Sequence, residues 1–192
     1  MRIIAGLAKG MTLAVPHAGV RPTADRIREA VFSSLGARVA GARVLDLFAG
    51  TGALGLEAAS RGAVSVTFVE QARDALESLQ KNILAFQKNR EADRSFAVTR
   101  SAVAEQLPKL AANGELFQLV FADPPYGQAA QELLRDASLP RLLASDGLLV
   151  LESAKRDALV VGGSWEPVRE SVYGDTRVDF LRISAASTDR HG

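Results

Sequence analysis

The chain has 192 residues, 47% hydrophobic and 23% charged, with a formal net charge of +1, an ordinary globular composition long enough for one domain with a sizeable core. It contains no Cys and only His17 and His191, which excludes a disulfide framework, thiolate zinc sites and cysteine nucleophiles, and argues against a histidine-rich metal site. The apolar stretches are strand-sized and the opening Met1-Arg2-Ile3-Ile4-Ala5-Gly6 lacks the apolar core of a signal peptide, so the expectation is a cytoplasmic protein with no membrane and no metal partner.

In chain order, Arg2-Ile3-Ile4-Ala5-Gly6 and Met11-Thr12-Leu13-Ala14-Val15-Pro16 read as two short strands joined through Lys9-Gly10. They predict a β-hairpin extension over residues 1–20. After Arg21-Pro22, Thr23 can cap a helix whose apolar residues Ile27, Ala30, Val31 and Leu35 follow the 3.6-residue period, with Gly36 ending it and Arg28 and Glu29 off the apolar stripe. This opening region is basic. Residues 1 to 43 carry seven basic and two acidic side chains, a local +5, whereas the remainder carries 16 basic and 20 acidic, or −4. The asymmetry points to a polyanionic partner at the N-terminal end.

From Arg43 the pattern alternates between apolar strands and amphipathic helices. Val44 to Phe48, a helix over Ala53 to Arg61 closed by Gly62, and Val66 to Glu70 make a βαβ unit. Leu76, Leu79, Ile83 and Phe86 mark the next helix; Phe96 to Thr99, Phe117 to Ala122 and Gly147 to Glu152 are further strands, and Gln128 to Ala137 is helical. Val172-Tyr173, the turn Gly174-Asp175 and Thr176 to Ile183 predict a final pair with an antiparallel edge. The fold class is therefore α/β: a Rossmann-like, doubly wound, mostly parallel seven-stranded sheet with an antiparallel C-terminal strand, occupying residues 21–184. The polar tail 185–192 is expected to be disordered. Such sheets bind ligands at the carboxyl ends of their strands.

Two motifs lie at such ends. Asp46-Leu47-Phe48-Ala49-Gly50-Thr51-Gly52-Ala53-Leu54-Gly55 ends a strand, opens a helix and places Gly50, Gly52 and Gly55 in the G-x-G-x-x-G arrangement that lets backbone approach a nucleotide-like ligand. Glu70, ending the next strand, can accept hydrogen bonds from two ribose hydroxyls. This fingerprint also fits a dinucleotide. Asp46 separates the two: a pyrophosphate at the helix N-terminus would face its carboxylate, whereas S-adenosylmethionine presents an ammonium and a sulfonium and no phosphate. A carboxylate that only holds turn amides would leave the same residue there.

The second motif, Asp123-Pro124-Pro125-Tyr126, follows the apolar run Phe117 to Ala122. A carboxylate, two ring-locked residues without N–H groups and an aromatic face make a poor phosphate cradle but a good clamp for a planar amide or amine. A proline-stiffened loop with a buried tyrosine is the alternative reading of the same four residues.

With both motifs in place the chain resembles a class I S-adenosylmethionine-dependent methyltransferase that methylates amines, and more narrowly the RsmD-type bacterial 16S ribosomal RNA guanine-N2 methyltransferases. The resemblance runs over nearly the whole chain: Met1 to Gly6, Arg21-Pro22-Thr23-Ala24-Asp25-Arg26-Ile27-Arg28-Glu29, Val44 to Glu57, Asp123 to Tyr126 and Tyr173-Gly174-Asp175-Thr176. It implies S-adenosylmethionine as cofactor, held by Asp46, Phe48, Ala49, Gly50, Thr51, Gly52, Glu70, Ser101, Ala102 and Asp123. It also implies 16S ribosomal RNA or the assembling small subunit as partner. Where such enzymes often carry an acid toward adenine, this chain has Arg100-Ser101-Ala102, leaving Ser101 or the backbone for that contact.

In the mechanism so implied, Asp123 and the Pro124 carbonyl accept the two amine hydrogens, Pro125 holds the loop rigid and Tyr126 stacks on a base that has left its helix. Arg21, Arg26 and Arg28 are the candidates for RNA phosphates, for closing over the cofactor, or for an ordinary ion-paired helix surface. Other amine acceptors fit the clamp chemically: another RNA, DNA, or a protein glutamine amide. A nicotinamide-dependent oxidoreductase and a non-catalytic RNA-binding module are the readings from other classes.

Overall fold

Uninterrupted apolar runs form the central strands, so both faces of those strands must be covered. The computed structural model describes residues 1–16, 22–88, 94–157 and 159–185. The chain divides into two compact units, Met1–Val103 and Ala104–Gly192. It carries a seven-stranded sheet of order β3-β2-β1-β4-β5-β7-β6, the mixed, mostly parallel sheet expected from the alternation of elements.

The first unit holds α1 (Pro22–Leu35), β1 (Arg43–Leu47), α2 (Ala53–Ser60), β2 (Ser65–Glu70), α3 (Arg73–Lys88) and β3 (Ser95–Arg100). β1 and β2 run parallel with Asp46 beside Phe68, and β2 and β3 run parallel with Glu70 beside Arg100. Val44, Leu45, Leu47, Phe68 and Val69 are completely buried, each side chain contributing about 1.5–3 kcal/mol of apolar burial. On α3 the predicted stripe Leu76, Leu79, Ile83 and Phe86 is the buried face, and the Phe86 ring meets Phe96 of β3 edge-on at 5.5 Å. Helix α2 lies close against its strands because Gly55 has no side chain: a Cβ there would come within 2.4 Å of Phe68, 2.7 Å of Val66 and 2.9 Å of Asp46.

The N-terminal hairpin is present as a single antiparallel bridge, Arg2 with Thr12, rather than two paired strands. Ile3, Gly10 and Leu13 donate between its two arms, to Met11 O, Ile3 O and Met1 O, and other backbone donors go to α2. Ile4 and Ala5 donate to the Glu57 carboxylate, Ala8 to Ser60 Oγ and Leu7 to the Ser60 carbonyl. Gly6, at φ 81°, lets the chain leave the extended conformation to reach them. Ile3, Ala8 and Leu13 are buried.

The second unit holds α4 (Val103–Ala112, whose first residue closes the first unit), β4 (Phe117–Ala122), α5 (Ala129–Arg135), β5 (Leu143–Ala154), β6 (Trp165–Tyr173) and β7 (Thr176–Ile183). β4 and β5 are parallel, with Ala122 beside Leu151, and β7 runs antiparallel to both β5 and β6. Helix α4 was not expected: it buries Val103, Leu107, Leu110 and Ala111 despite Pro108 in its interior. β6 is longer than Val172-Tyr173 because its polar residues Glu166, Arg169 and Glu170 carry no period-2 signal. It is an edge strand with a register shift at Pro167, where a proline costs no ladder hydrogen bond. The tail from 186 on and Arg21 lie outside the described residues. Among the described residues no helix is long and apolar enough to cross a membrane, and no cluster of three or more His, Asp or Glu could hold a metal ion.

Candidate active site

The glycine turn follows β1 and is held by two carboxylates. Asp46 is 1% exposed and its Oδ2 accepts the Gly55 N–H at 2.8 Å, so the first turn of α2 already faces a negative charge. A phosphate brought to that helix start would meet it in a buried setting where charge is poorly screened. Glu70 accepts Gly50 N–H on Oε2 and the Gln71 and Ala72 N–H groups on Oε1, all at 2.8 Å. A carboxylate offers about four acceptor sites. Glu70 therefore has capacity for one further donor, and accepting two ribose hydroxyls would displace an amide of the turn.

The turn itself is conformationally unusual. Gly50 and Gly52 have φ of 56° and 79°, and Phe48 sits at φ 57° without being glycine. A bulky residue in the left-handed region costs on the order of 1–3 kcal/mol and collects at binding sites. A Cβ at Gly50 would meet nothing nearer than 3.9 Å, so the space over it is open, whereas one at Gly52 would strike Leu79 at 2.4 Å. Ala49 N–H donates to Val69 O, and Ser101 N–H to Glu70 O, which ties the end of β3 to the same cradle. The Ser101 hydroxyl donates to Ala102 O at 3.1 Å and keeps its lone pairs for a ligand.

Three residues that the sequence reading did not assign to the site hold the N-terminal segment to it. Asn82, 2% exposed on α3, accepts Ala14 N–H and donates to both Ala14 O and Thr51 O at 2.7, 3.1 and 2.9 Å. One amide thus joins the glycine turn to the N-terminal segment. Glu57, fully buried on α2, accepts Ile4 N–H at 2.7 Å, Ala5 N–H at 3.1 Å and Arg61 Nε at 2.7 Å. Ser60 donates its hydroxyl to Ala5 O while accepting Ala8 N–H. A polar residue inside an apolar helical stripe is the signal that could have found Asn82.

In the second unit, Asp123-Pro124-Pro125-Tyr126 leaves the carboxyl end of β4 with Pro124 buried and Asp123 and Pro125 open to solvent. Asp123 is solvent-exposed, and partial desolvation by the protein around it raises its carboxyl pKa from the ordinary value. Tyr126 is 60% exposed, so it is not the buried tyrosine of a merely stiff loop. It presents a ring face. The loop continues into Gly127, at φ 105°, whose N–H donates to Asp157 Oδ2 at 3.2 Å.

Residues 1–182 match the family described as conserved hypothetical protein 95. The ribosomal RNA small subunit methyltransferase D of Escherichia coli (strain K12) is 37% identical over 180 residues, covering 91% of this chain and 85% of the relative. The chain belongs to the RsmD methyltransferase family. The family member of the same name from Haemophilus influenzae is 32% identical over 176 residues, covering 91% of this chain and 89% of the relative. A hypothetical protein of Thermus thermophilus has the same fold with a TM-score of 0.79 at 33% identity, covering 95% of this chain and 99% of that one.

For this RsmD-family chain, the structure gathers Asp46, Gly50, Gly52, Glu70 and Ser101 around one turn of the first unit, and Asp123 to Tyr126 on one loop of the second. Arg28 requires a correction. Its place off the apolar stripe suggests a side chain free for phosphate, but it is 3% exposed: Nη2 donates to Arg2 O and to Asp25 Oδ1, and Nε lies 3.8 Å from Glu57 Oε2. A guanidinium enclosed in this way organises the N-terminal segment and is not available to RNA. Arg26 is exposed.

Proposed function

We propose that this chain transfers the methyl group of S-adenosylmethionine to the exocyclic N2 amine of a guanine in 16S ribosomal RNA, as naked RNA or in the assembling small subunit. One observation carries the reading: an exposed carboxylate with a raised pKa and an exposed tyrosine share a proline-locked loop, on a chain 37% identical to a ribosomal RNA small subunit methyltransferase D. The donor suits its cradle. Asp46 and Glu70 are anionic, no Lys or Arg lies between Asp46 and Arg61, and the space over Gly50 is open. That suits a cationic ligand without phosphate. Asp46, Phe48, Ala49, Gly50, Thr51, Gly52, Glu70, Ser101, Ala102 and Asp123 would hold it, Asp46 from behind the turn and Glu70 through its remaining acceptor site. Bound there, the donor supplies an electrophilic methyl carbon.

The chain's own part is to make a poor nucleophile react. The lone pair of an exocyclic aromatic amine is delocalised into its ring. Asp123 and the Pro124 carbonyl accept its two hydrogens, which draws the nitrogen out of conjugation and aims the lone pair. Pro125 fixes the loop, and Tyr126 stacks on the extruded base, repaying part of its unstacking cost. As the nitrogen gains its methyl group it loses a proton, and the raised pKa of Asp123 suits the carboxylate to receive it. Arg26, with Arg21, is assigned to RNA phosphates.

The strand order supports this reading over a nicotinamide-dependent enzyme, because β7 lies between β5 and β6, whereas the dinucleotide fold continues in sequence to its sixth strand. Calorimetry with S-adenosylmethionine and with NAD tests the donor, and transfer of labelled methyl to small-subunit RNA tests the reaction. NAD binding without S-adenosylmethionine binding, or equal transfer rates for wild type and Asp123→Ala, would sink it.

A further inference from the structure

Beyond Tyr126 the loop opens into a cleft of about 440 Å³ whose walls are Gly127, Gln128 and the Gln131, Glu132 and Arg135 side of α5 on one hand, and Arg156, Asp157 and Leu159 on the other. We propose that this cleft is a second RNA subsite, which holds the sugar-phosphate of the nucleotide next to the methylated base. The inference rests on the function proposed above and adds to it a place for the flanking strand.

Four observations support it. The cleft is continuous in sequence with the clamp, beginning one residue after the exposed Tyr126 ring. Its volume lies at the lower end of the range for small-molecule sites, a fit for one nucleotide and not for a duplex. Its two cations, Arg135 and Arg156, are exposed and have no ion-pair partner among the described residues, and of the two acids that line the cleft with them, Glu132 and Asp157, the latter spends one oxygen on Gly127 N–H. Its walls are built. Gln131 pairs with Val160 twice, accepting its N–H at 2.7 Å and donating to its carbonyl at 3.2 Å, and Lys155 N–H donates to Asp175 O at 2.8 Å. That last bond gives Tyr173-Gly174-Asp175-Thr176 a physical role, since this turn between β6 and β7 anchors the segment that carries Arg156. Guanidinium groups bind phosphate oxygens through paired N–H donors, and a strand whose target base is turned out leaves its neighbouring phosphates beside the clamp.

The test is methyl transfer to small-subunit particles from cells lacking this protein, with wild type, Arg135→Ala/Arg156→Ala and Arg135→Lys/Arg156→Lys, between 50 and 200 mM salt. Each single-strand phosphate contact contributes roughly 0.7 to the salt slope, so losing two lowers it by about 1.4; over this fourfold range the wild-type RNA KM should then rise about sevenfold more than that of the alanine variant. The alanine variant should also show a raised RNA KM at low salt with donor affinity unchanged, and the lysine variant should recover the slope. An alanine variant with wild-type KM and slope overturns the subsite, as does a fall in kcat alone. A wild type that transfers no methyl group overturns the parent reading, which the first lane of the assay distinguishes.

Discussion

Replacing Glu57 by Gln changes almost no volume and removes one charge, which isolates what that carboxylate does. Its Oε2 receives Ile4 N–H and its Oε1 receives both Ala5 N–H and Arg61 Nε. In either orientation the new amide turns an NH₂ toward a donor. If the nitrogen takes the Oε2 side, Ile4 N–H is orphaned, and on the other side Ala5 and Arg61 are. One buried orphan costs about 1–3 kcal/mol, and Arg28, whose side chain is only 4% exposed, keeps only Asp25 as a counter-charge. Breaking a buried charged cluster of this kind costs about 3–5 kcal/mol in total. For a chain of this length that is a fall in Tm of about 6–20 °C, read by circular dichroism, with faster proteolysis inside residues 1–16. A Tm within about 2 °C of wild type would refute the claim that Glu57 holds the N-terminal segment.

Asn82→Ala orphans the Ala14 and Thr51 backbone groups and should weaken S-adenosylmethionine binding at least severalfold in calorimetry, at a cost of roughly 2 kcal/mol in urea unfolding. For Asp123 the sign follows from burial: folding favours the protonated acid, so stability is undiminished below the ordinary carboxyl range and is lost as the pH rises through the raised value. Asp123→Asn should therefore melt above wild type at about pH 8, the gap closing as the pH falls through the ordinary carboxyl value, while methyl transfer drops by about 10²-fold or more. Tyr126→Ala should lower kcat/KM for RNA by about 5- to 150-fold, the worth of one stacked base, and Tyr126→Phe should stay near wild type.

The sheet was legible because its strands are apolar runs broken by glycine and proline: Phe117–Ala122 and Thr176–Ile183 have the predicted limits. α4 and most of β6 were not. Pro108 argues locally against a helix that burial of Leu107 and Leu110 sustains, and an exposed edge strand has no alternation to read. The two motifs were legible as residue types at fixed spacing, whereas their partners were not. Asn82 belongs to α3 and meets Ala14 across 68 residues of chain, a pairing that no local pattern encodes. Arg28 was misjudged for the same reason, since besides the local acceptor Asp25 it donates to the Arg2 carbonyl and lies 3.8 Å from Glu57, both far away in sequence.

The central claim is tested most directly by the identity of the product. Small-subunit RNA from cells lacking the protein, incubated with the purified chain and methyl-labelled S-adenosylmethionine and digested to nucleosides, should yield label in N2-methylguanosine, with Asp123→Ala yielding far less. Label in any other nucleoside, or none in RNA, would contradict the account.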